Sequence, residues 1–287
     1  MRPAAALGLL PAALWSVASV RAQEPPTFGT GIETIRVDVL VTEAGRPLQG
    51  LGPEDFEVRD DGVPQEVAFV SSEELPLNLI LALDASASVA GEPLDQLRRA
   101  GRALLDRLEA PDRAALVTFS HQATVREPLT DDVSRVERAL ARVEPLGQTA
   151  AVDGCYAAVL LAEAEVGRDL VIVFSDGVDT SSWLTREQVV EAGRYADVVV
   201  YGVTLRGADR PELLRELSEL SGGALLEVDS TRDLSGAFLR ILEEFRHRYL
   251  LHYTPRGVSR EGWHRLQVTV KDRRATVRAR AGYVADR

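Results

Sequence analysis

The segment NLILALDASAS, residues 78–88, decides the fold. It opens with an apolar run that is typical of a strand buried on both faces of a parallel sheet. The run ends at Asp84, and two serines, Ser86 and Ser88, then alternate with small alanines. In α/β proteins, ligands bind at the carboxyl ends of such strands. We therefore predict a central strand over 78–84, followed by a loop that carries the chemistry.

Strands and amphipathic helices alternate through the rest of the middle of the chain. The apolar patterns predict further strands at 114–120, 124–129, 169–177, 197–205 and 224–229. They predict helices at 94–109, 131–143, 151–165, 185–196, 211–220 and 233–246. This βαβ order indicates an α/β fold with a Rossmann-like, doubly wound, mainly parallel sheet that is covered by helices on both sides.

The two flanks of this region show the two-residue period of half-buried antiparallel strands instead. Apolar residues alternate from Ile35 to Val41, and Val67 and Phe69 continue the pattern; further alternation follows at 249–253, 266–270 and 275–279. Neither flank has enough strands for a stable sheet alone. We predict that they form one small antiparallel β-sandwich into which the α/β domain is inserted. Two separate appendages are the alternative.

The predicted organisation has four parts. Residues 1–22 are a signal peptide, 23–74 an N-terminal β-flank, 75–245 the α/β domain and 246–287 a C-terminal β-flank. The first part, MRPAAALGLLPAALWSVASVRA, has a basic start, an apolar stretch and a Val-x-Ala cleavage site. An uncleaved anchor is disfavoured by Pro11. We expect an exported protein, periplasmic or secreted, without a transmembrane segment in the mature chain.

Charge is unevenly distributed. The 287 residues carry a formal net charge of −11, which argues against general nucleic-acid binding. The N-terminal flank has 3 basic and 12 acidic side chains, and the C-terminal flank has 11 and 3. We expect the basic flank to pair with the acidic one rather than to bind anionic lipid or polymer. The single cysteine, Cys155, excludes a disulfide framework and lies in an apolar helical run, so we predict that it is buried.

Three loops should meet at one edge of the predicted sheet. They supply Asp84, Ser86 and Ser88 after the first strand, Thr149 before a helix, and Asp176 after another strand. Such an all-oxygen set suits a hard cation, Mg²⁺ first, with Mn²⁺ or Ca²⁺ possible. Because the hydroxyls are neutral, the ion stays electrophilic and can accept a carboxylate from another molecule.

These residues resemble the metal-ion-dependent adhesion site, or MIDAS, of von Willebrand factor type A domains. The resemblance extends over about 75–245 in strand and helix order. It implies that the five residues hold the ion directly or through water and that a partner's Asp or Glu completes the coordination. It also implies that the last helix, 233–246, can move when the metal shell rearranges.

The flanks also resemble a family. GLGPEDFEVRDDGVPQEV (50–67), YLLHYTP (249–255) and VRARAGY (277–283) are similar to the ends of exported bacterial proteins related to von Willebrand factor type A domains, which are abundant in acidobacteria. The similarity implies that flanks and core form one unit, and it names no ligand.

Each candidate residue also has an ordinary structural interpretation. Asp84 and the serines can cap a helix, Asp176 can belong to a turn, and Thr149 can be an N-cap. Three further residues lie near the predicted site. Asp179 can support the ligand residues or be solvated, and Asp153 can lie near the metal or simply favour the N-terminus of a helix. His121 follows the second strand and can approach the metal or be an ordinary loop residue.

The sequence predicts a non-enzymatic, metal-dependent protein-binding module. One alternative is a structural envelope protein with a vestigial metal site. Another is a metal-dependent hydrolase in which His121 activates Ser86 or Ser88. The chain lacks the G-x-G-x-x-G sequence after the first strand and a G-x-S-x-G elbow, which disfavours dinucleotide enzymes and α/β-hydrolases.

Overall fold

The computed structural model describes residues 34–71, 75–162, 166–207 and 212–285; the predicted signal peptide lies outside these ranges. The strands are β1 (Ile35–Glu43), β2 (Arg46–Pro47), β3 (Phe56–Asp60), β4 (Val63–Gln65), β5 (Val67–Ser71), β6 (Leu77–Asp84), β7 (Arg113–Phe119), β8 (Ala123–Thr130), β9 (Arg168–Phe174), β10 (Val198–Leu205), β11 (Leu225–Val228), β12 (Tyr249–Tyr253), β13 (Gly262–Val270), β14 (Thr276–Arg278) and β15 (Gly282–Ala285). The α-helices are α1 (Glu92–Leu105), α2 (Val133–Ala141), α3 (Ala151–Leu161), α4 (Arg186–Tyr195), α5 (Glu212–Ser221) and α6 (Leu234–Arg246). Among these described helices, none has both the length and the apolar character that a membrane span requires.

The central sheet has the order β11-β10-β9-β6-β7-β8. All pairs are parallel except β7 with β8. Every residue of β6 is buried, because helices cover both faces of the sheet. Leu79 and Leu81 pack on the side of α1 and α6, whereas Ile80 and Ala82 pack on the side of α3. The predicted doubly wound, mainly parallel α/β fold is confirmed.

Helix α3 packs closely on the sheet at Gly154. A β-carbon added to Gly154 would lie 2.3 Å from Cδ1 of Phe119 on β7, so only glycine allows this approach. The neighbouring Cys155 is fully buried, as predicted. Burial raises the pKa of its thiol to about 12. The contact between Gly154 and Phe119 therefore fixes the first turns of α3, which directly follow the loop that contains Thr149.

The two flanks build one β-sandwich. One sheet has the order β14-β1-β12-β5, with β2 beside β1, and the other has the order β15-β13-β3-β4. Strands from the two flanks pair directly, since Val37 lies opposite Leu251 and Val58 opposite Val268. Apolar residues of both flanks share one core. The predicted sandwich is confirmed, and the alternative of two separate appendages is wrong.

The prediction that Phe69 continues the buried face is wrong, because its side chain is 53% exposed. Strand β5 is an edge strand, and its register against β12 shifts between His252 and Tyr253. Such an irregularity breaks the simple two-residue alternation. Phe69 instead packs against the His252 ring, with 5.7 Å between the ring centroids.

The expected pairing of the two oppositely charged flanks holds only in part for the described residues, where His264 contacts Asp60 and Asp61 of the N-terminal flank. Arginines of the C-terminal flank mostly pair with acidic residues of the α/β region, in the pairs Arg246–Asp112, Arg278–Glu244 and Arg280–Asp197. The Arg256–Glu66 pair joins the two flanks but is highly exposed. The charges therefore attach the sandwich to the α/β region more than they hold its halves together.

Candidate functional site

The candidate site lies at the carboxyl ends of β6 and β9. Asp84 is the last residue of β6 and is fully buried. Its Oδ1 accepts a 2.8 Å hydrogen bond from the Ser86 backbone N–H, and its Oδ2 accepts one of 2.8 Å from Ser175 Oγ. Burial raises the pKa of Asp84, and the charge of Asp176 adds to this effect, although the serine hydrogen bonds oppose it. A cation beside Asp84 would offset the cost of burying its charge.

Two serine hydroxyls connect the loop after β6 to the loop after β9. Ser86 Oγ lies 2.9 Å from Ser88 Oγ, and Ser88 Oγ donates to Asp176 Oδ1 at 2.9 Å. Adjacent ligands of an octahedral Mg²⁺ are about 3 Å apart, because each Mg–O distance is about 2.1 Å. The spacing and the oxygen-only donor set therefore fit a hard divalent cation.

Thr149 reaches the same edge of the sheet from the loop before α3. Its backbone oxygen accepts hydrogen bonds from Thr180 N–H at 2.8 Å and Ser181 N–H at 3.2 Å. A β-carbon added to Gly177 would lie 3.8 Å from Thr149 Oγ1, so this hydroxyl faces the loop that contains Asp176. Thr149 is not the N-cap of α3, because Ala150 occupies that position. The structure thus brings all five predicted ligand residues to one edge.

Backbone hydrogen bonds join the loop before α3, which contains Thr149 and is called the Thr149 loop, to the loop after β6. The latter contains Ser86 and Ser88 and is called the serine loop. Leu146 N–H donates to Ala85 O at 2.8 Å, and Ala87 N–H donates to Gly147 O at 3.1 Å. Gly147 has a φ of 70°, which residues with a side chain rarely adopt. The two loops therefore hold each other in place.

Asp179 and Asp153 position the neighbouring loop. Asp179 Oδ2 accepts from Val152 N–H at 2.9 Å, within the first turn of α3. Asp153 accepts from the backbone N–H groups of Trp183 and Leu184. Both carboxylates fasten residues 176–184 to α3, so we interpret them as positioning residues.

His121 is exposed at the end of β7. Its Nδ1 lies 3.3 Å from Ser120 Oγ. The hydroxyls of Ser86 and Ser88 instead contact each other and Asp176. The described contacts therefore do not assemble the histidine–serine pair of the hydrolase alternative.

The sequence reasoning missed Ser175 and Ser182. Ser175 donates to the buried Asp84, and Ser182 Oγ accepts from Asp153 N–H at 3.1 Å. The signal for Ser175 was available, because it stands directly before Asp176 at the end of an apolar strand. Ser182 has no comparable pattern, since its partner lies in a helix that is distant in sequence.

A second group of potential metal ligands lies in the sandwich. The ligand atoms of Asp60, Asp61 and His264 lie within 4.8 Å of one another. Asp60 is fully buried; its Oδ1 is 2.8 Å from His264 Nδ1, and its Oδ2 accepts from Tyr253 and Tyr283 hydroxyls at 2.9 and 2.8 Å. Burial raises the pKa of Tyr253, which keeps it a donor. Because both oxygens of Asp60 already have partners, we interpret this group as a polar centre that joins four strands.

Comparison with known proteins agrees with this arrangement. The chain is 27% identical to human inter-alpha-trypsin inhibitor heavy chain H4 over 192 residues, which is 58% of this chain and 21% of that protein. The chain spans between 13% and 21% of the length of the curated relatives it matches.

Two solved structures share the fold. A von Willebrand factor type A protein from Catenulispora acidiphila superposes with a TM-score of 0.55 at 15% identity, covering 80% of this chain and 72% of that one. Proximal thread matrix protein 1 from the mussel byssus gives a TM-score of 0.54 at 20% identity, covering 63% and 48%, and its structure has zinc in the MIDAS motif.

The family model described as "von Willebrand factor type A domain" matches residues 78–238, which is more than half of the chain. The matched range begins in β6 and ends in α6, so it contains all five residues of the candidate site. The fold, the site and this match agree: the chain belongs to the von Willebrand factor type A domain family.

Proposed function

We propose that this protein is a non-enzymatic interaction module that captures an acidic side chain of a protein partner through a divalent cation. Asp84, Ser86, Ser88, Thr149 and Asp176 would hold the ion. The observation that carries the proposal is the set of contacts that gathers these residues: the Ser86 backbone N–H donates to buried Asp84, Ser86 Oγ contacts Ser88 Oγ, and Ser88 Oγ donates to Asp176. When bound, the ion supplies a Lewis-acidic position for a partner's carboxylate. Mg²⁺ is the proposed ion, although the mussel relative carries zinc.

The donor set supports binding over catalysis. The hydroxyls of Ser86 and Ser88 contact each other, and the hydroxyl of Ser88 also contacts Asp176. The histidine that lies nearest to them in sequence, His121, contacts Ser120 instead. The described contacts of the two serines therefore include no histidine, so they do not form the histidine-activated nucleophile of the hydrolase alternative. Turnover of an ester, phosphate or peptide substrate that disappears in Asp84→Ala would contradict the non-enzymatic proposal.

Metal dependence is tested by thermal unfolding of the full chain with Mg²⁺ and with EDTA. Ligand at 100 times its Kd stabilises a protein by about 2.7 kcal/mol, so the wild type should unfold at a higher temperature with Mg²⁺. Ser88→Ala, at an exposed position, should weaken this shift, and Asp84→Ala should abolish it. Asp229→Asn is the matched control, because its carboxylate is 75% exposed and belongs to an ion pair outside the site. An equal shift in all variants would contradict the metal site.

Partner capture is tested by pull-down from cell-envelope extract. A partner should bind the wild type with Mg²⁺ and should be lost with EDTA or in Asp84→Ala. Retention in every arm would contradict the metal bridge. A vestigial site would give no Mg²⁺-dependent stabilisation at all.

Export is also part of the proposal, and it rests on the sequence of residues 1–22. The N-terminal sequence of the mature protein tests it.

A further inference from the structure

Three of the nine large apolar side chains that are exposed in the described ranges belong to the loops of the candidate site. Leu146 is 61% exposed in the Thr149 loop, Val178 is 38% exposed just after Asp176, and Trp183 is 91% exposed. A group of exposed apolar side chains is typical of an interaction surface, since soluble proteins rarely leave a large apolar patch uncovered. We call these three residues the apolar rim.

The backbone of the rim is fixed to the site. Trp183 N–H donates to both carboxylate oxygens of Asp153, at 3.2 and 3.1 Å. Asp153 lies in the first turn of α3, directly after the Thr149 loop. Leu146 is bonded through its N–H to Ala85 in the serine loop. The indole is therefore displayed on a loop that is held to the same helix start as Thr149.

The loops around the site offer no basic side chain. Segments 84–91, 119–123, 143–153 and 175–185 contain neither Lys nor Arg. A partner's carboxylate therefore has no cationic side chain from these loops to pair with. Its attraction has to come from the ion, and the same loops expose the three side chains of the apolar rim.

We infer that the partner presents an Asp or Glu with an apolar or aromatic side chain immediately beside it in sequence. The carboxylate binds the ion, and the neighbouring side chain packs on the apolar rim, with Trp183 as the main contact. This inference rests on the proposed function. An exposed tryptophan on a fixed backbone binds with little loss of conformational entropy, and tryptophans are enriched among the residues that dominate binding energy.

The test uses random linear peptides displayed on phage. The library is selected on the immobilised full chain with Mg²⁺ and eluted with EDTA. We expect the eluted peptides to contain Asp or Glu with Trp, Phe, Leu, Ile or Val within two positions. The affinity of synthetic versions of these peptides is then measured by fluorescence polarisation.

Three variants identify which contact fails. Trp183→Ala should weaken peptide binding about tenfold or more, as loss of a central aromatic contact does. Tyr195→Ala is the matched control and should bind the peptides as the wild type does. Tyr195 is also exposed (57%), but it lies at the far end of α4, about 15 Å from the end of that helix that follows the site loop. Asp84→Ala should lose binding entirely.

The outcomes separate the two proposals. If acidic peptides bind only with Mg²⁺ but Trp183→Ala binds them as well as the wild type, the rim inference is overturned and the proposed function stands. If EDTA releases no acidic peptide, the proposed function is overturned too. An independent readout uses a Trp15→Phe, Trp263→Phe chain, in which Trp183 is the remaining tryptophan. Its emission should shift to shorter wavelength on peptide binding, and an unchanged spectrum would contradict contact with the rim.

Discussion

At the scale of single residues, burial sets the chemistry of several side chains. Asp84 is the clearest case, because a fully buried carboxylate that lies beside a second carboxylate needs a compensating charge. Its serine hydrogen bonds provide part of the compensation. A side chain placed in this way is more consistent with a metal ligand than with a helix cap, and the N-cap of the following helix α1 is Gly91.

Cys155 gives a direct test of burial. Its thiol is fully buried, and burial raises its pKa to about 12. Since the thiolate is the reactive form, we expect the native protein not to react with a thiol reagent such as DTNB at mildly alkaline pH. Denaturation in guanidinium should release one thiol per chain. Rapid labelling of the native protein would contradict the described packing of α3.

His252 predicts a pH dependence of stability. Burial lowers its pKa from the ordinary value of 6.5, and the charge of Arg36 lowers it further. The unfolded chain therefore binds the proton more readily, so the free energy of unfolding should fall as pH drops below 6.5 toward the folded-state pKa. Urea unfolding of wild type and His252→Gln measures this, and the variant should show a shallower decrease. Identical pH profiles would rule out a contribution of His252.

At the scale of secondary-structure elements, two helical glycines should respond oppositely to alanine. Gly154→Ala should destabilise the protein strongly, because the new β-carbon would clash with Phe119 and push α3 from the sheet. Gly236→Ala in α6 should stabilise it by about 0.5–1 kcal/mol, because nothing lies within 4 Å of the new β-carbon and alanine has the higher helix propensity. Chemical denaturation measures both; a stable Gly154→Ala variant would contradict the close approach of α3.

The elements that the sequence predicts well are those with a strong period. β6 and β9 were expected from continuous apolar runs, and both are fully buried. Helix α4 begins one residue after the predicted start of 185, where Thr185 and Gln188 form a capping box. Short edge strands such as β2 and β4 were not predicted, because strands of two or three residues are too short to show a period.

The candidate site was predictable because it is attached to elements with strong apolar patterns. Its five residues follow strands or precede a helix that the sequence places securely. The sequence places Asp153 and Asp179 near the site but does not give their hydrogen-bond partners, because each partner lies in a segment that is distant in sequence. The same limit explains why the expectation for the flank charges holds only in part, since charge counts do not say which surfaces meet.

At the scale of the whole molecule, the sandwich and the α/β region share polar contacts through α6. Glu244 is nearly buried and accepts from Tyr201, Arg240 and Arg278, of which Arg278 belongs to β14 of the sandwich. Arg248, just after α6, is 2% exposed and donates to Tyr201 Oη and to the backbone oxygens of Gly222 and Asp38. These contacts predict that the two regions unfold together.

The prediction is tested with Glu244→Gln. Wild type should show one unfolding transition, coincident for circular dichroism and for tryptophan emission. Glu244→Gln should lower the free energy of unfolding by about 1–3 kcal/mol, because hydrogen bonds to a charged group are lost. Arg206→Ala, which removes an exposed ion pair with Asp229, should change it by less than about 1 kcal/mol. Two separate transitions in the wild type would contradict a single cooperative unit.

The pairing of β1 with β12 has a consequence for the order of folding. Ile35 lies opposite Tyr253, so the partners of this ladder are separated by the entire α/β region. Chains are synthesised from the N-terminus, so β1 emerges long before the strand that completes its sheet. Closing so long a loop in an unstructured chain is slow, but a folded central sheet brings its two ends together. We therefore expect the sandwich to form last. The candidate metal site should already be assembled before β1 pairs with β12.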